Sequence, residues 1–261
     1  MATLLTALDA RGVATISLNR PEVHNAFDDA VIAELNAAID GYARHPDVRV
    51  LVLRAEGKSF SAGADLGWMK RMATYSREDN QADACELERL MRGLYDFPKP
   101  TLAVVQGAAY GGAVGLVSCC DIALASDNAG FALSEARLGL APAVISPYVI
   151  AAIGTRQASR YFLTAERFDA ATAKTLGLVH EVVAAEALSA ALENLLSTLL
   201  ANGPVALMAC KNVIRRVAAA TSPELAAYTT ELIASLRTSH EGQEGLAAFF
   251  EKRSPAWQRK N

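Results

Sequence analysis

With 261 residues, 52% of them hydrophobic, the chain can fill one large core or a core with an appendage, which excludes a disordered polymer. Its formal charge of −3 supplies no basic footprint for nucleic acid. No run reaches ~18 uninterrupted apolar residues, and "MATLLTALDARG" lacks a basic region followed by an apolar one, so neither a membrane span nor a secretory leader is expected.

Taken in chain order, "GVATISLN" and "VRVLVLR" are short β-rich runs. Between them Val31, Ile32, Leu35, Ala38, Ile39 and Tyr42 fall at helical spacing, giving strand, helix, strand. A loop runs through "SAGADL". The stretch around Leu87, Leu90, Met91 and Leu94 is again helical and stops before the prolines of "FPKP". "TLAVVQG" is a near-continuous apolar strand, followed by the glycine turn and apolar helix of "AYGGAVGLVSCC" and by the strands "DIALAS" and "GFAL". Alternation of this kind predicts a layered α/β body. Beyond about residue 185 the β signal ends, and "ALSAALENLLSTLL", "PVALMACKNVIRRV" and "PELAAYTTELIASLR" read as apolar-striped helices. The expected division is a core over 1–199 and a helical region over 200–261, with no low-complexity linker between them.

Three motifs can carry chemistry. The small side chains of "FSAGADL", residues 60–66, allow close approach to its backbone. In "YGGAVG", Gly111 and Gly112 precede an apolar helix and offer amides backed by the helix dipole. In "LSEARLGL", Glu135 sits in an apolar neighbourhood that would raise its pKa towards the range useful for proton transfer, with Arg137 as a neutralising neighbour or a solvated cation. The four histidines, His24, His45, His180 and His240, are scattered without a metal or nucleophile pattern, so no metal is expected. "GGAVG" lacks the dinucleotide spacing and its acidic ribose partner, so NAD is not implied. Cys85, Cys119, Cys120 and Cys210 read as reduced core residues of a cytoplasmic protein.

In order, "RPEVHNAF", "FSAGADL", "VQGAAYGGAVGL" with "CDIALA", "LSEARLGL" and "GLAAFFEKRSPAW" resemble the enoyl-CoA hydratase/isomerase, or crotonase, superfamily along essentially the whole chain. "GGAVGLVSCCDIA" and "EGQEGLAAFFEKR" further resemble bacterial hydratases of methylglutaconyl-CoA or related carboxylated, branched enoyl-CoAs. The resemblance implies a spiral of ββα units, with C-terminal helices that build a homotrimer or a hexamer made of two trimers. By motif position, the amides of Ala64 and Gly112 would hold the thioester oxygen, and Glu135 would move protons. Ala62, Asp65 and Leu66 would lie along the CoA, with Ala26 near its adenine end. CoA is part of the substrate, and no separate cofactor is implied.

Two-glutamate hydratases of this superfamily carry their first acid three residues beyond the oxyanion glycine, where this chain has Gly115. Glu135 is then the single acid, and Gly115 is expected to leave space for a bulky β-substituent. The reading is a hydratase of a 2-enoyl-CoA such as 3-methylglutaconyl-CoA, in leucine or acyclic isoprenoid breakdown. Its alternatives are a Δ3,Δ2-enoyl-CoA isomerase, which also works with one acid, and a noncatalytic acyl-CoA-binding or RNA-binding homologue.

Overall fold

The computed structural model describes residues 2–219 and 223–258. The chain opens with β1 (Leu4–Leu8), β2 (Val13–Leu18), α1 (Asp29–Arg44) and β3 (Val50–Ala55), followed by α2 (Leu66–Met72) and α3 (Arg77–Tyr95). Next come β4 (Thr101–Val105), β5 (Ala109–Tyr110), α4 (Gly112–Cys119), β6 (Ile122–Ser126) and β7 (Gly130–Ala132). A 3-10 turn, Glu135–Leu138, leads to α5 (Ser146–Thr164), β8 (Arg167–Asp169), α6 (Ala170–Leu176) and β9 (Glu181–Val183). The helices α7 (Leu188–Leu200), α8 (Pro204–Ala219), α9 (Pro223–Thr238) and α10 (His240–Glu251) complete it.

Six strands form one sheet in the order β1-β2-β3-β4-β6-β9, in which only β1 and β2 pair antiparallel. A smaller sheet has the order β5-β7-β8. A mixed α/β body followed by C-terminal helices is the architecture that the sequence resemblance implies. The strands read as continuous apolar runs because both sheet faces are covered. Ala14, Ile16, Leu18, Leu51 and Leu53 point into the main core, whereas Val13, Val50, Val52, Leu102 and Val104 face Leu188, Leu196 and Leu199 of α7.

Helix α4 is apolar all round because it is enclosed: Ala113, Val114, Leu116 and Val117 are at most 1% exposed. It runs through the middle of the main core, which fixes its first residues in space. On α1 the apolar stripe Val31, Ile32, Leu35 and Ile39 is buried, and the Asp28 carboxylate accepts from the Val31 amide as the N-cap.

Helix α8 is tied to the body by a buried ion pair. Lys211 Nζ donates to Asp121 Oδ2 at 2.6 Å and to the Lys99 carbonyl at 3.0 Å, while Asp121 also accepts from the Thr101 amide and hydroxyl. Asp121, which opens β6, thus joins β4 to the C-terminal helices.

Several elements depart from expectation. Strand β1 and helix α5 carry no clear periodic signal, and "SAGADL" ends in the short helix α2 instead of a longer loop. All four cysteines are free, but only Cys119 is fully buried; Cys85 and Cys210 are exposed, correcting the reading of all four as core residues. Each lies on a solvent-facing side of an amphipathic helix, a distinction residue type cannot make. Among the described residues no helix is long and apolar enough to cross a membrane, and no three metal-ligating side chains gather.

Candidate active site

Three chain segments converge where the sheets meet α4. The loop 60–64 is stitched to β5 by the Ser61 amide donating to the Ala108 carbonyl at 3.0 Å and the Tyr110 amide donating to Ser61 at 3.0 Å. Gly63 makes the approach possible: its φ is +87°, and a Cβ there would lie 2.7 Å from the Tyr110 carbonyl oxygen. On the other side, Phe27 and Ala64 form a parallel bridge, with the Phe27 amide donating to Gly63 and the Asp65 amide to Phe27.

This stitching uses the amides of Phe27, Ser61, Tyr110 and Asp65 and leaves those of Ala64 and Gly112 without a protein acceptor among the described residues. Gly112 begins α4, so its amide also carries the positive end of the helix dipole. Phe27 lies against it, and a Cβ at Gly112 would be 2.7 Å from the ring. Both residues line a cavity of about 290 Å³, together with Glu135.

Glu135 starts the 3-10 turn, which Gly139 closes in the left-handed conformation. Its Oε1 faces Gly111, 3.3 Å from where a Cβ would stand, and its Oε2 is buried with no hydrogen-bond partner. Burial raises its pKa above the ordinary carboxylate value, with a backbone hydrogen bond opposing. A carboxylate poised this way can accept and return a proton within the cavity. Arg137, two residues on, is exposed.

The remaining cavity wall is mostly apolar and includes Trp68, Leu87, Pro142, Val144 and Ile145. Here the expectation for Gly115 fails. A Cβ on Gly115 would lie 2.3 Å from Ile145 Cγ2 and 3.2 Å from Met91 Sδ, and Ile145 and Met91 are themselves buried. The volume a first acid would need is already filled by these two side chains. It is not free for a β-substituent.

Of the expected CoA-contact residues, Ala64 and Gly112 line the cavity, whereas Ala26, Ala62, Asp65 and Leu66 are not part of its wall. Ala62 is exposed and Leu66 is 75% exposed. The Asp65 carboxylate serves the fold: it accepts from the Gly67 and Trp68 amides as the N-cap of α2 and faces Arg20 at 3.4 Å. Ala26 is buried, outside the cavity, with its carbonyl accepting from Arg20 at 2.8 Å. Arg20 therefore clamps the 26–28 turn to the start of α2.

No histidine lines the cavity: His24 faces the Ser59 hydroxyl, and the ring nitrogens of His45 and His180 accept from the backbone amides of Asp47 and Ala123. Phe27, Trp68, Asp83 and Ile145 line it without having been singled out in the sequence. They come from segments with no catalytic spacing, and only the fold assembles them.

Comparison with known proteins adds four findings. A family model described as enoyl-CoA hydratase/isomerase matches residues 9–260. Among solved structures, an enoyl-CoA hydratase from Shewanella pealeana superposes with a TM-score of 0.94 at 48% identity, covering 98% of this chain and 96% of that one. AtuE from Pseudomonas aeruginosa gives 0.95 at 36%, covering 99% and 100%. A trans-2-decenoyl-[acyl-carrier-protein] isomerase from Streptococcus mutans is 31% identical over 246 residues, 94% of each chain.

Proposed function

Because the chain belongs to the enoyl-CoA hydratase/isomerase family, we propose that it adds water across the double bond of a 2-enoyl-CoA thioester. The observation that supports this reading is the convergence of two unpartnered amides, Ala64 and Gly112, with the unpartnered Oε2 of Glu135 on one cavity.

In the proposed reaction the thioester oxygen accepts from both amides. The Glu135 carboxylate takes a proton from water as the water oxygen bonds to Cβ, and the π electrons move to give an enolate whose charge rests on the thioester oxygen. The enolate then collapses, and protonated Glu135 returns the proton to Cα. Water is added across the double bond and the carboxylate is regenerated. Amide donors aimed at a developing oxyanion typically contribute ~3 to 4 kcal/mol each. In the same proposal Ala62, Asp65 and Leu66 lie along the CoA, mainly through their backbones, with Ala26 near its adenine end.

A branched, carboxylated acyl group such as 3-methylglutaconyl would bring a third carboxylate into a cavity lined by Asp83 and Glu135 and, among the described residues, by no basic side chain. A neutral acyl group ranks ahead of it on electrostatic grounds. The second reading is Δ3,Δ2-enoyl-CoA isomerisation, in which Glu135 carries one proton between Cγ and Cα. The filling of the Gly115 position by Ile145 and Met91 favours it, since the two-acid pattern is absent.

Assembly as a homotrimer or a dimer of trimers belongs to the same proposal, supported by Ile214, Phe249 and Phe250, which are 67%, 77% and 75% exposed on the C-terminal helices. A core over 1–199, a helical region over 200–261 and a cytoplasmic setting complete it. Crotonyl-CoA, 3-methylglutaconyl-CoA and a 3-enoyl-CoA, each incubated with the purified protein and followed by product identification, separate the readings. Migration of the double bond without 3-hydroxyacyl product would replace hydratase by isomerase. Binding without turnover of any of them would defeat both.

A further inference from the structure

Where the Ala64 amide stands depends on what holds residues 61–65. On the inner side the partner is β5, which is part of a sheet. On the outer side it is the stretch 24–27, which belongs to no strand: the Ala62 amide donates to the His24 carbonyl at 2.9 Å, the Phe27 amide to Gly63 at 2.9 Å and the Asp65 amide to Phe27 at 3.0 Å. That stretch must itself be fixed in place. Asn25 within it is 2% exposed and left-handed at φ +53°, a conformation asparagine tolerates better than most residues. Its Oδ1 accepts from the Arg20 amide at 2.8 Å, closing its own turn. Its Nδ2 donates to the Glu56 carbonyl at 2.7 Å and the Ser59 carbonyl at 2.8 Å, in the segment that leads into the loop 60–64. Both donors and the acceptor of this one carboxamide are thereby used. Gln106 Nε2 holds the same segment, donating to Ala55 at 2.9 Å and to Gly57 and Ser59 at 3.1 Å each. His24 also faces the Ser59 hydroxyl, but it is exposed.

We propose that Asn25 is a positioning residue for the Ala64 amide. Its carboxamide fixes residues 24–27 against residues 56–59, and the Phe27–Ala64 bridge passes that placement to the amide that receives the thioester oxygen. This rests on the acyl-CoA reading above. Asn25 does not line the cavity and touches no reacting atom. An amide stabilises an oxyanion only at hydrogen-bond distance from the place where the charge develops, and a displacement of about 1 Å can cost ~10²-fold in rate. Gly112, the other donor, is set by α4, so disturbing Asn25 weakens one donor of the two.

The carbonyl of a bound thioester reads this placement directly. Infrared difference spectra are recorded with butyryl-CoA carrying carbon-13 at the thioester carbonyl, a saturated ligand with no double bond to react, bound to wild type, Asn25→Asp, Asn25→Gly and Lys211→Met. Aspartate keeps the size and the acceptor for the Arg20 amide but turns an oxygen towards the Glu56 and Ser59 carbonyls. Glycine keeps the left-handed backbone and removes the side chain alone. Lys211→Met weakens the fold away from the cavity. The wild type should lower the carbonyl stretch relative to free butyryl-CoA, and both Asn25 variants should return it towards the free value while Lys211→Met does not. In the same variants kcat for the best substrate should fall about 10- to 100-fold, with butyryl-CoA affinity within about threefold, because an oxyanion donor acts more strongly in the transition state than in the ground state. If Asn25→Asp does not fold, Asn25→Gly decides.

A lowered stretch that persists in the Asn25 variants overturns the positioning role and leaves the proposed reaction standing. A stretch that Lys211→Met restores equally overturns it too, since loss of stability would then suffice. A wild type that leaves the stretch unchanged overturns both, because no amide then donates to the thioester oxygen. Return of the stretch in the Asn25 variants, in a protein that converts no enoyl-CoA, supports the positioning and refutes the reaction alone.

Discussion

Replacing Glu135 by glutamine removes the proton acceptor while keeping the side chain's size and leaving the Ala64 and Gly112 amides in place. General acid–base groups typically contribute ~10² to 10⁴-fold to turnover. The structure argues for the upper part of that range, because the position three residues beyond Gly112 is packed by Ile145 and Met91 and no second acid can stand there. kcat should therefore fall by about 10³-fold or more, with acyl-CoA affinity little changed, measured as loss of the conjugated enoyl-thioester absorbance and by calorimetric titration. The same substitution should stabilise the fold near neutral pH. Burial raises the folded-state pKa of Glu135 above its unfolded value, so the native state binds the extra proton between the two values and stability falls as pH rises through that window. Below the unfolded pKa both states are protonated and the advantage of glutamine disappears; above the folded pKa it is complete. The apparent Tm of Glu135→Gln should exceed that of wild type at pH 8 and approach it near pH 4. Near-normal turnover by the variant would refute the single-acid mechanism and require another group to carry the proton.

Gly115→Glu should not create a two-acid hydratase: its Cβ would meet Ile145 Cγ2 at 2.3 Å, and overpacking of this kind costs about 1–3 kcal/mol or more, readable as a lower Tm with no gain on crotonyl-CoA. Lys211→Met strips a buried cation from Asp121 and should cost about 3 kcal/mol in urea unfolding, at the low end for a broken buried pair because Asp121 keeps Thr101 and is partly exposed. If the C-terminal helices join subunits, Phe249→Glu with Phe250→Glu should shift light-scattering mass from a trimer or hexamer to the monomer; a wild type that is monomeric at micromolar concentration would defeat the assembly proposal.

Much of the fold was legible because it follows from short-range periodicity. The stripe on α1, the proline-limited end of α3, the apolar β4 and the change to helices after about residue 185 each need only neighbours a few positions apart. Strand β1 was not legible, since it is held by pairing with β2 at one edge of the sheet, its three central residues are exposed and its side chains do not alternate cleanly. The order of the motifs likewise pointed to Ala64, Gly112 and Glu135, and the fold brings these three to one cavity.

What the sequence by itself determined is most of the longer elements, the family resemblance and which groups are candidates to hold an oxyanion and move a proton. What only the tertiary structure decided is what surrounds those groups. Gly115 reads as vacant space along the chain, but Ile145, thirty positions later, occupies that space. The task of the Asp65 carboxylate, capping α2 and facing Arg20, is likewise set by the fold. Trp68 and Asp83 share no motif and come from different helices, and only packing brings both to one cavity wall. Residue type and spacing specify a group's intrinsic chemistry, whereas its volume, desolvation and hydrogen-bond partners are set by side chains distant in sequence.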